Sequence, residues 1–223
     1  MTNKDNVLSR LKESTSDAHA RVEEALRLTD DTLDLGRYLR LLSTMRSVHI
    51  AADLLLAPFK PELAALGYQP AERKRVEWID EDLMSLGGSW HGTTSSAIEK
   101  FEVNSVCDCL GMIYVLEGST LGGQIIASAV ARSLALTPPN GCRYYIGYGS
   151  RTGSRWKETR DTIDGYSASS AERELAIDTI IGAANRAFET ILSEARAQNA
   201  LPVCSDKLEY RVRSSPPDSF HVA

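Results

Sequence analysis

Long apolar runs are missing from this 223-residue chain: none approaches the roughly 18 to 20 uninterrupted apolar residues that span a bilayer. The opening MTNKDNVLSRLKEST lacks the apolar centre of a signal peptide, so the chain is expected to be cytoplasmic, with no membrane partner. Basic clusters are missing as well. With a formal net charge of -5, general electrostatic attraction to nucleic acid is excluded as a working principle. Cysteine is sparse and unpatterned: Cys107, Cys109, Cys142 and Cys204 show no CxxC spacing, so neither a zinc site nor a disulfide framework is indicated and they read as free thiols. Alternating runs of β-branched residues and fixed-period repeats are absent too, which leaves no basis for a sheet or a solenoid.

What is present is helical periodicity. With 43% hydrophobic and 25% charged residues, the chain can build one good core. From Val7 to Leu28, the residues Leu8, Leu11, Thr15, Ala18, Val22 and Leu26 recur at helical spacing. Leu35 to Leu56 repeats the pattern until Pro58 and Pro61 stop it, after a turn at Thr29 to Asp34. A short helix is expected at Pro61 to Leu66, another at Arg73 to Leu86 ended by Gly87-Gly88, and a loop at Ser89 to Thr94. Ser105 to Leu136 is the longest apolar-rich stretch and predicts a central, buried helix. Pro139 to Gly153 reads as irregular, Ser154 to Asp164 as a short helix, and Ser170 to Gln198 as a long one with Ile177, Ile180, Ile181, Ala184, Phe188, Ile191 and Leu192 as its stripe. The expectation is an all-α, single-domain helical bundle over residues 1–200, with 201–223 a loosely held tail.

One segment needs its own explanation. Tyr114-Val-Leu-Glu-Gly-Ser-Thr-Leu-Gly-Gly-Gln124 sets Gly118, Gly122 and Gly123 inside the most apolar helix, at about 1 kcal/mol each relative to alanine. Gly111, Gly118 and Gly122, at i, i+7 and i+11, share a face and clear a strip against which a flat cofactor can lie. Close approach of a neighbouring helix explains the same glycines equally well. His19 lies near the apolar face of the first helix, where an imidazole can reach an interior pocket, although a lone histidine there is more often a hydrogen-bonded core residue than a ligand. His49, His91 and His221 are weaker candidates, and none has a second His or Cys at metal-ligand spacing on its own element. A single axial histidine suffices for haem iron, because the porphyrin supplies the other four nitrogens.

These two segments resemble the haem oxygenase family. Leu11-Lys-Glu-Ser-Thr-Ser-Asp-Ala-His-Ala-Arg-Val-Glu-Glu24 is similar to its proximal helix, and the glycine-rich stretch to the kinked distal helix, where backbone covers the oxygen-binding face. Arg75 to Gly87, with an Asp-Leu pair, is a weaker echo. The resemblance implies His19 as axial iron ligand, Glu23 as the carboxylate beside it, Lys12 and the Trp156-Lys157 patch as propionate partners, and Phe188 as an apolar haem contact. Gly118, Ser119, Gly122 and Gly123 would form the distal wall. Many members carry an aspartate directly after the first distal glycine, which organises water for proton delivery; this chain has Ser119, and its LEGSTLGG is similar to a bacterial subgroup that includes members making biliverdin for phytochromes. The implied reaction uses haem as substrate and cofactor, O2, and electrons from an external reductase or ferredoxin, and yields biliverdin, carbon monoxide and Fe2+, with a phytochrome as a biliverdin acceptor. Two other readings stay open: a non-catalytic haem carrier or sensor of the same fold, and a helical interaction module whose glycines serve packing alone.

Overall fold

The computed structural model describes residues 6–27, 33–87 and 95–200, and among them there is no strand. The first periodic segment forms two helices, α1 (Val7–Ser14) and α2 (Ser16–Leu26). Asn6 begins α1 by accepting from the Leu8 N–H at 2.8 Å. At Thr15 the backbone opens to φ -105° and ψ -1°, and the hydroxyl donates back to Leu11 O at 2.7 Å. The expected single helix to Leu28 is therefore interrupted one turn before His19. Arg27, in the left-handed region at φ 46°, ends α2, and Leu28 lies outside the described residues.

α3 (Leu35–Leu56) follows its predicted stripe, burying Tyr38, Leu41, Leu42, Met45, Val48, Ala52 and Leu56. Asp34 starts it by accepting from Arg37 N at 2.7 Å. Pro58 and Pro61 fall in the first turns of a short 3-10 segment and of α4 (Lys60–Ala65), where a missing N–H costs nothing. α5 (Arg75–Ser85) appears as expected, and α6 (Ser95–Lys100) is a short helix that the spacing does not signal. The loop expected at Ser89 to Thr94 and the tail from Leu201, with His91, His221 and Cys204, lie outside the described residues. The thiols of Cys107, Cys109 and Cys142 are free and buried.

The stretch expected as one central helix is α7 (Val106–Gly118) and α8 (Gly123–Leu134), separated by a 3-10 segment at Ser119–Gly122. By length and composition it is apolar enough to cross a membrane, but in this fold much of it is core. α10 (Thr152–Ser169) runs longer than predicted, and α11 (Arg173–Ala200) closes the bundle. α7 lies directly on α11 at Gly111, where an added Cβ would fall onto the Ile180 carbonyl oxygen and within 2.8 Å of Ala184 N. Ile177, Ile180, Ala184, Phe188, Ile191 and Leu192 of α11 are buried as the stripe predicts.

The other face of α11 receives the start of the chain. Leu11, Val22 and Leu26 are buried, each worth about 1.5–3 kcal/mol of transfer free energy. Arg10 pairs with Glu174 at 2.6 Å and Asp178 at 2.7 Å, and Arg21 with Glu189. These exposed pairs contribute roughly 0–1 kcal/mol each and set the register. The first and last helices thus make one wall.

Between α8 and α10 the expected irregular segment contains α9 (Arg143–Ile146), four residues held from outside. Asp82 of α5, 1% exposed, accepts from Arg143 N at 2.6 Å and Tyr144 N at 2.8 Å. Burial pushes its carboxyl up to about 6 despite these donors. Asp82→Ala strands two buried N–H groups, at about 1–3 kcal/mol each. A thermal melt should show a loss of about 2–4 kcal/mol, or roughly 5–15 °C, with Asp82→Asn losing about half as much. An unchanged melting temperature would show that α9 does not depend on this anchor.

Candidate functional site

Two adjoining cavities, about 490 and 570 Å3, lie between the first helices and the α7–α8 interruption. They meet at His19, Val115, Gly118, Ser119, Leu121 and Phe188. The inner one is walled by apolar side chains such as Val22, Leu26, Met45, Ile126 and Ile191, with Arg75, Tyr144 and Tyr145 set among them. The outer one is the mouth, lined by Lys12, Thr15, Tyr114, Trp156 and Arg160. A flat, largely apolar molecule with an anionic edge matches this division.

His19 is on α2, with its side chain 54% exposed and borne on both cavities. Its ring meets that of Phe188 at 5.5 Å between centroids, tilted by 58°. Nε2 lies 3.5 Å from Glu23 Oε1, one turn along the helix, where the carboxylate can orient the imidazole. Three of the sequence-derived residues are therefore together. Among the described residues no group of three or more His, Cys, Asp or Glu could hold a metal ion, so an iron here would need a ligand that brings its own donors.

The glycines divide into two kinds. Gly118 and Gly122 line the inner cavity; a Cβ on Gly122 would meet nothing within 4 Å, and one on Gly118 only the edge of Trp156 at 3.6 Å. Gly123 also borders the cavity, but its missing side chain makes room for the Tyr145 carbonyl oxygen. Gly111 lies on the same helical face and serves helix packing, because α11 crosses there. Close packing explains Gly111 and Gly123, whereas Gly118 and Gly122 leave space on the cavity side. Ser119 lines the cavity with its hydroxyl turned back, donating to Leu116 O at 2.8 Å. Thr120 likewise donates to Glu117 O at 2.7 Å.

At the mouth, Lys12 lines the outer cavity, whereas Lys157 does not. Its Nζ sits 2.5 Å from Asp161, and the residue is absent from both cavity linings. The cation that accompanies Trp156 is Arg160, four residues on and so on the same helical face. Sequence reasoning missed it for want of the helix phase, which i, i+4 spacing from Trp156 would have supplied.

It also missed Arg75, Tyr144 and Tyr145. His49, a weak sequence candidate, is 3% exposed and hydrogen-bonded through Nε2 to Tyr144 Oη at 2.9 Å. Burial, and then the charge of Arg75, hold its imidazole well below the usual histidine range, so it is neutral near pH 7. It supports Tyr144, which lines the cavity where His49 does not.

The heme oxygenase family model matches residues 5–193. No curated protein matches the sequence by direct comparison. Among solved structures, the fold is similar to that of the NO- and CO-bound heme oxygenase from Neisseria meningitidis, at TM-score 0.73 and 19% identity, covering 90% of this chain and 96% of that one. Heme oxygenase from Leptospira interrogans gives 0.72 and 22%, with coverage of 86% and 99%. Heme oxygenase 2 from Chlamydomonas reinhardtii, without heme, gives 0.70 and 19%, with 90% and 100%. A family match over nearly the whole helical bundle, on a fold shared with these enzymes, places this chain in the heme oxygenase family.

Proposed function

We propose that the protein binds haem in the joined cavities and cleaves it to biliverdin, carbon monoxide and Fe2+, using O2 and electrons from an external reductase or ferredoxin. The observation that carries this reading is the slot itself: His19 and Phe188 on one side, the side-chain-free Gly118 and Gly122 on the other, and Lys12 and Arg160 at the open edge. A planar macrocycle with two carboxylates fits that donor set. When bound, haem supplies both the carbon skeleton to be opened and the iron that activates oxygen.

In this reading His19 holds the iron and Glu23 fixes the imidazole's direction. Lys12 and Arg160 would hold the two propionates at the open edge. The apolar side chains around Met45, Ile126 and Ile191 exclude bulk water. Gly118 and Gly122 let backbone approach the ring face. Ser119 can accept a hydrogen bond from water while its own O–H donates to Leu116 O. The LEGSTLGG run supports a phytochrome as the acceptor of the product.

A haem carrier or sensor is the second reading, favoured by one observation: Glu23, beside His19, is the carboxylate on the inner cavity, and none comes from α7 or the 3-10 segment. Titration of the purified protein with haem, followed by a ferredoxin-reductase system in air, separates the two. A saturable Soret band that decays into a broad red biliverdin band supports the enzyme; a stable Soret band supports the carrier; no band rejects both. Arg160→Glu should weaken haem binding about fivefold, more at low salt, as an exposed ion pair is reversed. Affinity indifferent to that charge would remove Arg160 from the propionate role.

A further inference from the structure

The inner cavity has a buried cation in its wall. Arg75, in the first turn of α5, is 4% exposed and lines the cavity. Its Nε donates to Tyr148 Oη at 3.2 Å, and that hydroxyl donates on to Glu117, 3.1–3.2 Å from its two oxygens. Its Nη2 lies 3.2 Å from Glu117 Oε1 but in no hydrogen-bonding geometry, and has no hydrogen-bond partner in the protein. Glu117, 3% exposed, is also shared with Arg73 at 3.3 Å and with Tyr68 at 3.4 Å. Arg73 has a second carboxylate, Glu158, at 3.2 Å, but it is not a cavity residue.

This arrangement inverts the chemistry expected of the α7 side. The carboxylate sits two positions before Ser119 and behind the guanidinium, so the cavity meets a positive, donating group. Ser119 and Thr120 have committed their protons to backbone carbonyls, and Tyr144 is tied to His49. A guanidinium on the wall of a cavity whose neighbouring hydroxyls are committed elsewhere is the charged donor that an entering acceptor meets. Tyr148 and Glu117 fix the planar group, so a ligand does not have to order it.

We propose that Arg75, set in place by Glu117 and Tyr148, is the hydrogen-bond donor for an anionic ligand held on the α7 side of the bound haem, an assignment that rests on the haem reading above. The test uses ferric haem complexes of the wild type, Arg75→Gln and Arg75→Lys, titrated with azide and fluoride as anionic probes and imidazole as a neutral one. Arg75→Gln should bind azide and fluoride about tenfold or more weakly, the worth of one hydrogen bond to a charged group, with imidazole affinity within about threefold of wild type. Arg75→Lys keeps the buried charge if the glutamine variant does not fold, and should lose about threefold for want of the planar fork. Wild-type azide affinity in whichever variant binds haem with an intact Soret band overturns the role of Arg75 and leaves the haem site standing. No Soret band in the wild type overturns the haem reading and this assignment with it.

Discussion

Replacing His19 with alanine will abolish haem turnover and leave the apoprotein as stable as before. The two halves of this result come from the same geometry. His19 is half exposed, touches Phe188 and Glu23, and supports no buried hydrogen bond, so its loss should change folding by no more than about 0.5 kcal/mol. An iron in this slot, in contrast, would have no other described histidine on its cavity, since His49 faces Tyr144 behind the wall. The variant's haem complex should lose the histidine-ligated Soret position and the thermal stabilisation that haem gives the wild type, about 2.7 kcal/mol at a hundredfold excess over Kd. Added imidazole should enter the space left by the side chain and restore both the spectrum and part of the turnover. A variant that still makes biliverdin without imidazole would refute the axial assignment.

Gly111→Ala will have the opposite profile, with a large loss of stability that haem does not rescue. An added methyl at residue 111 would fall onto the Ile180 carbonyl oxygen and within about 2.6 Å of Ala183 Cβ. The obstacles are α11's own backbone and the first atom of a side chain, none of which can rotate away. α7 and α11 must part, and the cost should reach about 3 kcal/mol or more, roughly 10 °C in melting temperature. Gly122→Ala is its counterpart. Nothing lies within 4 Å of that Cβ and Gly122 precedes the first residue of α8, so the fold should change by no more than about 0.5 kcal/mol, while the methyl enters the slot and weakens haem binding. Haem affinity unchanged in Gly122→Ala would mean that the macrocycle does not lie against this segment.

What could be read from the sequence, and what could not, follows from how local each determinant is. The stripes of α3 and α11 repeat over many turns, so their buried faces are visible in the spacing alone. The Ser119–Gly122 interruption is marked by its own glycines. α9 is not legible, because its four residues are capped by Asp82, more than sixty positions earlier. Arg73-Lys74-Arg75 looks like a solvated charged run. Its two arginines are buried because Glu117, on an element over forty positions away, supplies the countercharge that makes burial tolerable. Beside Trp156 the cation that lines the cavity is Arg160 and not the adjacent Lys157, because neighbours in sequence diverge by 100° on a helix.

Because the wall bearing His19 is made from the first helices and the last, it has an order of assembly in time. α2 leaves the ribosome before α11, and its seat there, through Phe188 and the Arg21–Glu189 pair, is not made until some 160 residues more have been added. At about 5–20 residues per second that interval is on the order of ten to thirty seconds. During synthesis the histidine therefore belongs to an unseated amphipathic segment, and a nascent chain has only half of the slot. On the proposed reading haem loading would follow the synthesis of α11, and any shortening of α11 would reach His19, some 160 residues earlier.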